Sequence, residues 1–159
     1  MFLLPYISYY KESIMKKVIK QLKVIQGSSL VMFTKLHNYH WNVKGMQFFA
    51  VHEMTEKLYN EFSTLYDDSA ERVLQLGDKP LVVLSDISQY ALIKEEKKST
   101  FDANGVLNGI LSDFEIFLKE FKKLSKLAEQ VNDSTTVAFA DDNIAHLEKN
   151  IWMIKATLS

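Results

Sequence analysis

The sequence predicts an all-α fold, a four-helix bundle with one long crossover between its second and third helices. Three observations carry this. Only two prolines and five glycines punctuate 159 residues, and they divide the chain into long segments. Within those segments apolar residues recur at the three- and four-residue spacing of a helix face. No stretch alternates apolar and polar residues as a half-buried strand does.

A first helix is expected from Lys11 or Met15 to Val43, with Leu22, Ile25, Leu30, Phe33 and Leu36 on its apolar face. Gly27-Ser28-Ser29 interrupts it, and the glycine costs about 1 kcal/mol relative to alanine. Such a triplet either breaks the helix or lets a neighbour approach closely, and the second reading is adopted. Lys44-Gly45 ends the helix, glycine being the usual residue just past a C-terminus. The second helix spans about Val51 to Leu76 with Val51, Met54, Leu58, Phe62, Leu65, Ser69, Val73 and Leu76 facing inward, and Gly77-Asp78-Lys79-Pro80 stops it. Residues 81–101 then form the crossover, with a short helix at Ser85–Tyr90. A third helix from Gly105 to Asn132 carries Leu107, Ile110, Leu111, Phe114, Phe117, Leu118, Phe121 and Leu124 as its core stripe. Asp133-Ser134 offers an N-cap for the fourth, from Thr135 to Ala156.

Composition bounds the function. The chain is long enough for one domain with a sizeable core and too short for two. A net charge of −1 argues against bulk electrostatic binding of nucleic acid. With no cysteine, disulfides, thiolate chemistry and Cys-ligated metals are ruled out. No apolar run approaches the roughly 20 residues that span a bilayer, so no membrane partner is expected and the location is read as cytoplasmic. The opening Met1-Phe2-Leu3-Leu4-Pro5-Tyr6-Ile7 lacks the basic start and sustained apolar region of a secretion signal. Residues 1–14 are expected to be a flexible N-terminal extension and residues 15–159 a single domain.

The chemistry lies in two histidines and a set of carboxylates. His40 falls in the last turn of helix one and His52 in the first turn of helix two, so a hairpin through Gly45 brings them together. At about 100° per residue, His52, Glu56, Asp67 and Glu71 share one arc of roughly 100° on helix two. Yet His52 and Asp67 are about 22 Å apart along the axis. One helix cannot close both ends of that stripe on one ion. Two copies packed antiparallel across a two-fold axis can, with His52 and Glu56 of one facing Asp67 and Glu71 of the other. Mixed imidazole and carboxylate donors suit non-haem iron or manganese and also accept zinc. Glu53 and Asp68 point about 100° away from the stripe and read as solvated residues. His37 shares a face with His40 and is not needed for the site, and His146 reads as an ordinary surface or core histidine. Common di-iron bundles repeat Glu-x-x-His within one subunit. That motif is absent throughout the chain, which leaves the site between subunits.

His40-Trp41-Asn42-Val43-Lys44-Gly45, Phe48-Phe49-Ala50-Val51-His52-Glu53 and Ala70-Glu71-Arg72-Val73-Leu74-Gln75-Leu76-Gly77 resemble signatures of the Dps family, the DNA-binding proteins from starved cells or mini-ferritins. The resemblance runs from about Lys16 to the end. Ile151-Trp152-Met153-Ile154-Lys155-Ala156 resembles the last helix of its neutrophil-activating branch. It implies a ferritin-like bundle and a hollow dodecamer that oxidises Fe(II) with hydrogen peroxide and stores Fe(III), protecting against oxidative stress. It implies His40, His52 and Glu56 as iron ligands from one subunit, and Asp67 and Glu71 from its mate. The family often carries aspartate where Glu56 stands. Trp41 resembles a site-adjacent tryptophan that intercepts stray radicals, and Asp141 and Asp142 are candidates to line acidic iron-entry pores. DNA binding in the family rests commonly on a lysine-rich tail. Here the N-terminus is apolar, and Lys16, Lys17, Lys20 and Lys23 form only a modest basic cluster. Multiplied over twelve subunits, that cluster would hold DNA weakly at low salt. An extracellular, immune-activating interaction protein is the third reading.

Overall fold

The computed structural model describes residues 3–159, with side chains from residue 9 onward. Five helices follow in order: α1 Leu3–Asn42, α2 Phe48–Gln75, α3 Leu84–Tyr90, α4 Ala103–Glu129 and α5 Ser134–Leu158. The long helices form the expected bundle, α1 against α2 and α4 against α5, and the short α3 sits in the crossover on α1. No strand occurs among the described residues; an isolated parallel bridge joins Val43, just past α1, to Phe101 at the end of the crossover. None of the described helices is long and apolar enough to cross a membrane. Met1 and Phe2 of the expected N-terminal extension lie outside the described residues. From Leu3 onward that segment forms the opening turns of α1, where Ile14 is buried.

The triplet at Gly27 is a contact, not a break. α1 runs straight through it, and a Cβ at Gly27 would stand 2.8 Å from the Ile87 carbonyl oxygen of α3. Ser28 Oγ accepts from the Leu92 amide at 3.0 Å. The Gln26 side chain donates to the Leu81 carbonyl and accepts from the Leu81 amide, both at 2.9 Å. Asn38 Nδ2 donates to the carbonyls of Glu96 and Lys98, each at 2.9 Å. Polar side chains on one helix thus pair with the backbone of the crossover and hold it against α1.

The core has the expected stripes at its centre, with Phe62 of α2 packed against the rings of Phe114 and Phe117 of α4, and Phe121 of α4 against Phe139 of α5. Asp133 caps α5 by accepting from the Thr136 amide and pairs with Arg72 at 2.7 Å, tying α2 to the start of α5. Burial works against the charged Asp133 carboxylate, but hydrogen bonds from Thr136 and Arg72 outweigh it and hold the group below the usual range. Lys35 and Asp113 form an ion pair of 2.7 Å inside the α1–α4 seam, and there burial wins, raising the Asp113 carboxyl despite Lys35.

Gly109 of α4 lies directly over the Tyr39 hydroxyl, and a Cβ there would collide with it. Tyr39 is only 2% exposed, so its ring has no room to yield. Gly109→Ala gains about 1 kcal/mol of helix propensity but overpacks a rigid site at about 1–3 kcal/mol. The second effect dominates. The variant should unfold at lower temperature than the parent in a thermal melt; an equal or higher Tm would refute the packing argument.

Candidate metal centre

Hairpin geometry builds the site. α1 ends at Asn42, Gly45 turns the chain at a φ of 110°, and α2 starts at Phe48. His40 and His52 are thereby stacked face to face, with centroids 3.6 Å apart and planes 19° apart. Their hydrogen bonds are reciprocal: His40 Nδ1 donates to the His52 carbonyl and His52 Nδ1 donates to the His40 carbonyl, each at 2.9 Å. A carbonyl can only accept, so both Nδ1 atoms carry the proton. In the neutral ring that tautomer leaves the lone pair on Nε2, the arrangement that metal ligation requires. Glu56, one turn beyond His52, adds a carboxylate, and one ligand atom from each of the three lies within 4.8 Å of the others. Among the described residues no other group of three or more histidines and carboxylates is so arranged. The donor set fits a hard or borderline divalent ion.

The supporting residues are those the sequence left unnoticed. Thr55 is fully buried; its hydroxyl donates to the Val51 carbonyl at 2.8 Å and its oxygen sits 3.3 Å from His40 Nδ1. It therefore braces the ring orientation from the far side of the ligand. Tyr59 meets His40 edge to face at 5.4 Å and Phe48 stacks on His52 at 5.0 Å. Thr55 and Tyr59 stand three and seven residues after His52, which helical spacing places on the same face of α2; that spacing was the available signal. Thr55→Val keeps the shape and removes the brace. Residues that orient ligands typically contribute about 10–100-fold in metal affinity, and a loss in that range is expected by titration with a spectroscopically visible divalent metal. Unchanged affinity would make Thr55 a packing residue only.

The other expected residues lie elsewhere. Asp67 and Glu71 are exposed on the distal half of α2 and join no ligand cluster within this chain. Trp41 is 69% exposed. His37 donates from Nδ1 to the Phe33 carbonyl at 2.9 Å and stacks on Tyr59. His146 is a surface residue, its Nε2 3.0 Å from Glu61 Oε2. Asp141 Oδ1 accepts from Ser125 at 2.9 Å while Asp142 is open to solvent. Of the basic cluster, Lys16 pairs with Glu12 and Lys23 with Asp78. Glu53 and Asp68 are exposed.

Comparison with known proteins places this geometry. The ferritin-like domain family matches residues 19–159. The chain is 46% identical over 143 residues to the DNA protection during starvation protein of Helicobacter pylori, covering 90% of this chain and 99% of that one. The crystal structure of CAIP from Helicobacter cinaedi superposes with a TM-score of 0.88 at 45% identity, over 89% of this chain and 99% of the other. A Dps protein from Vibrio cholerae, described as a member of a broad superfamily of ferritin-like diiron-carboxylate proteins, superposes at 0.88 with 30% identity over 92% of each chain.

Proposed function

This chain belongs to the ferritin-like family and, within it, to the Dps proteins, and from that premise we propose that it is a cytoplasmic ferroxidase and iron-storage protein. It oxidises Fe(II), preferentially with hydrogen peroxide, and sequesters Fe(III) within a hollow dodecamer, so protecting the cell against oxidative stress. The observation that carries this is the His40–His52 clamp, whose Nδ1 atoms are both held by carbonyls so that both Nε2 atoms are free to ligate beside Glu56. It is half of a site. Asp67 and Glu71, exposed on the same face of α2, are the carboxylates that a second copy would bring to it across a two-fold axis.

Iron here is substrate. The neutral imidazoles and the three carboxylates hold Fe(II) and, by offering more negative charge than neutral donors, favour Fe(III) over Fe(II) at the site. Two ions close together can pass two electrons to one peroxide, giving water and no free radical. Trp41 guards against the one-electron path. Zinc and manganese are further ions the same donors accept. The test is anaerobic loading with Fe(II), followed by peroxide or dioxygen. Fast oxidation with peroxide and slower oxidation with dioxygen is expected; oxidation no faster than in a protein-free control would overturn the reading.

A DNA-protecting role is the second reading, favoured by the row of exposed lysines on α4, Lys119, Lys122, Lys123 and Lys126. Lys122 is already paired with Glu148 at 2.7 Å, so the row is partly neutralised and the binding it supports is weak and lost as salt rises. A mobility shift that persists near physiological salt would reverse this ranking.

A further inference from the structure

α1 packs along α2 and α4 along α5, but α2 and α5 do not pack closely on each other. Polar ties join them instead. Arg72 reaches Asp133 near the start of α5, and further along Glu61 Oε2 lies 3.0 Å from His146 Nε2. A simple ion pair explains the second tie poorly. Asn150, one turn beyond His146, has its Nδ2 fixed by the His146 carbonyl at 2.9 Å, and the same Nδ2 lies 3.0 Å from His146 Nε2. An amide nitrogen only donates, so it addresses Nε2 as an acceptor. The Glu61 carboxylate only accepts, so it addresses the same atom as a donor. One imidazole nitrogen cannot be both. With the lone pair on Nε2, two electron-pair donors face each other, and a cation held by both removes the conflict. Glu61 follows Glu56 by five residues, which turns it about 140° around α2 and away from the His40–His52 clamp.

We propose that Glu61 and His146 form a second metal site, which binds a single zinc-like divalent ion between α2 and α5. Nitrogen and oxygen ligands sit about 2.0–2.2 Å from zinc and therefore roughly 3.0–3.5 Å from each other. The observed 3.0 Å fits that spacing with little movement. Asn143 supplies a third donor. Its Nδ2 is taken by the Phe139 carbonyl at 2.8 Å, which leaves Oδ1, and it lines the same cleft as Glu61 and His146. Water completes the shell. The His146 and Glu61 side chains are 47% and 31% exposed, so an ion enters without the bundle opening. Beneath them the cleft is floored by Phe62, Phe114, Phe117 and Leu147, an apolar bed that keeps water off one side and strengthens the attraction between ion and carboxylate. Lys57 opposes the site, its Nζ 3.8 Å from the other Glu61 oxygen, but its side chain is 75% exposed. So open a pair is weak, and the lysine swings clear. Imidazole with carboxylate and amide oxygens selects a first-row divalent metal over magnesium or calcium. Holding one ion rather than two, the site has no part in paired-iron chemistry; it cross-links α2 to α5.

The test uses the whole assembled protein, stripped of metal and titrated near neutral pH with zinc by calorimetry and with cobalt(II) by visible absorption. His146→Gln and Glu61→Gln should each bind one ion per subunit fewer than the parent, whereas His52→Ala should keep that ion. Zinc should raise the Tm of His52→Ala more than that of the double variant with His146→Gln. Peroxide-driven iron oxidation should be the same in His146→Gln as in the parent, which separates this site from the clamp. His146→Lys keeps an ion pair with Glu61 but offers no lone pair, so it should lose the ion while its metal-free Tm stays that of the parent. That variant distinguishes lost ligation from lost folding. An unchanged number of bound ions in His146→Gln or His146→Lys overturns the proposal. Loss in both, with binding intact in Glu61→Gln, overturns the pair and leaves a lone surface histidine.

Discussion

Replacing either His52 or Asp67 by alanine should abolish rapid Fe(II) oxidation, and mixing the two variants should bring part of it back. Each residue is assigned to the metal itself, so each loss should exceed the roughly 10–100-fold typical of residues that only orient ligands. The two defects differ in place. His52 belongs to the clamp with His40 and Glu56, whereas Asp67 lies about 22 Å further along the same helix, too far to reach that ion from its own chain. A dimer of one His52→Ala and one Asp67→Ala chain has one site with both defects and one with neither. Random pairing therefore restores about a quarter of the wild-type sites. The measurement is peroxide-driven oxidation after the two variants are unfolded together, refolded and reassembled. Recovery near that fraction is the signature of a shared site. No recovery, with each variant assembled normally, would mean that both residues act within one chain, and wild-type rates in either single variant would remove it from the ligand set.

How much of this was legible in the sequence depends on how local each feature is. The adjacency of His40 and His52 could be read because only a short hairpin through Gly45 separates them, and the structure stacks the rings at 3.6 Å. The reciprocal Nδ1 bonds could not, because they depend on the rotation of each ring about its own side-chain torsions. The short crossover helix was read at Ser85–Tyr90 and stands at Leu84–Tyr90. What pins it was hidden, since Gln26 and Leu81 are 55 residues apart and Asn38 and Glu96 are 58 apart. Core stripes were legible from apolar spacing, but the same rule passes over polar residues that are buried. Thr55 was missed for that reason. Tyr59 was missed because an aromatic ring on an apolar face reads as packing; only its contacts with His37 and His40 show otherwise. The proposed site between copies rests on geometry alone, from a stripe too long for one ion.

Leu84→Asp should leave the helices intact and still abolish oxidation, on the proposal that the groove beside α3 is where the copies sharing the site meet. Leu84 begins α3 and is 74% exposed, next to exposed Val83, and lines with exposed Trp41 one groove beside α1. Apolar side chains gathered around one groove mark an interface when they are this open to water. A solvent-exposed leucine contributes little to its own subunit's folding, so circular dichroism and the melting of a monomer should change little. Within a two-fold interface the aspartate would be buried without a partner, once in each copy. An unpaired buried charge costs about 3 kcal/mol or more, which is more than a hundredfold in dissociation constant. Light scattering should then find a small species where the parent forms a large shell. His40, His52 and Glu56 remain in place in that species, so it should still bind a divalent metal, weakly, without rapid turnover. Raising the protein concentration should restore part of the activity by mass action. A variant that assembles and oxidises like the parent would show that this groove is no interface. One that dissociates yet oxidises iron at the wild-type rate would be the more damaging outcome, since a complete site would then lie within a single chain and the partner's Asp67 and Glu71 would have no part in it.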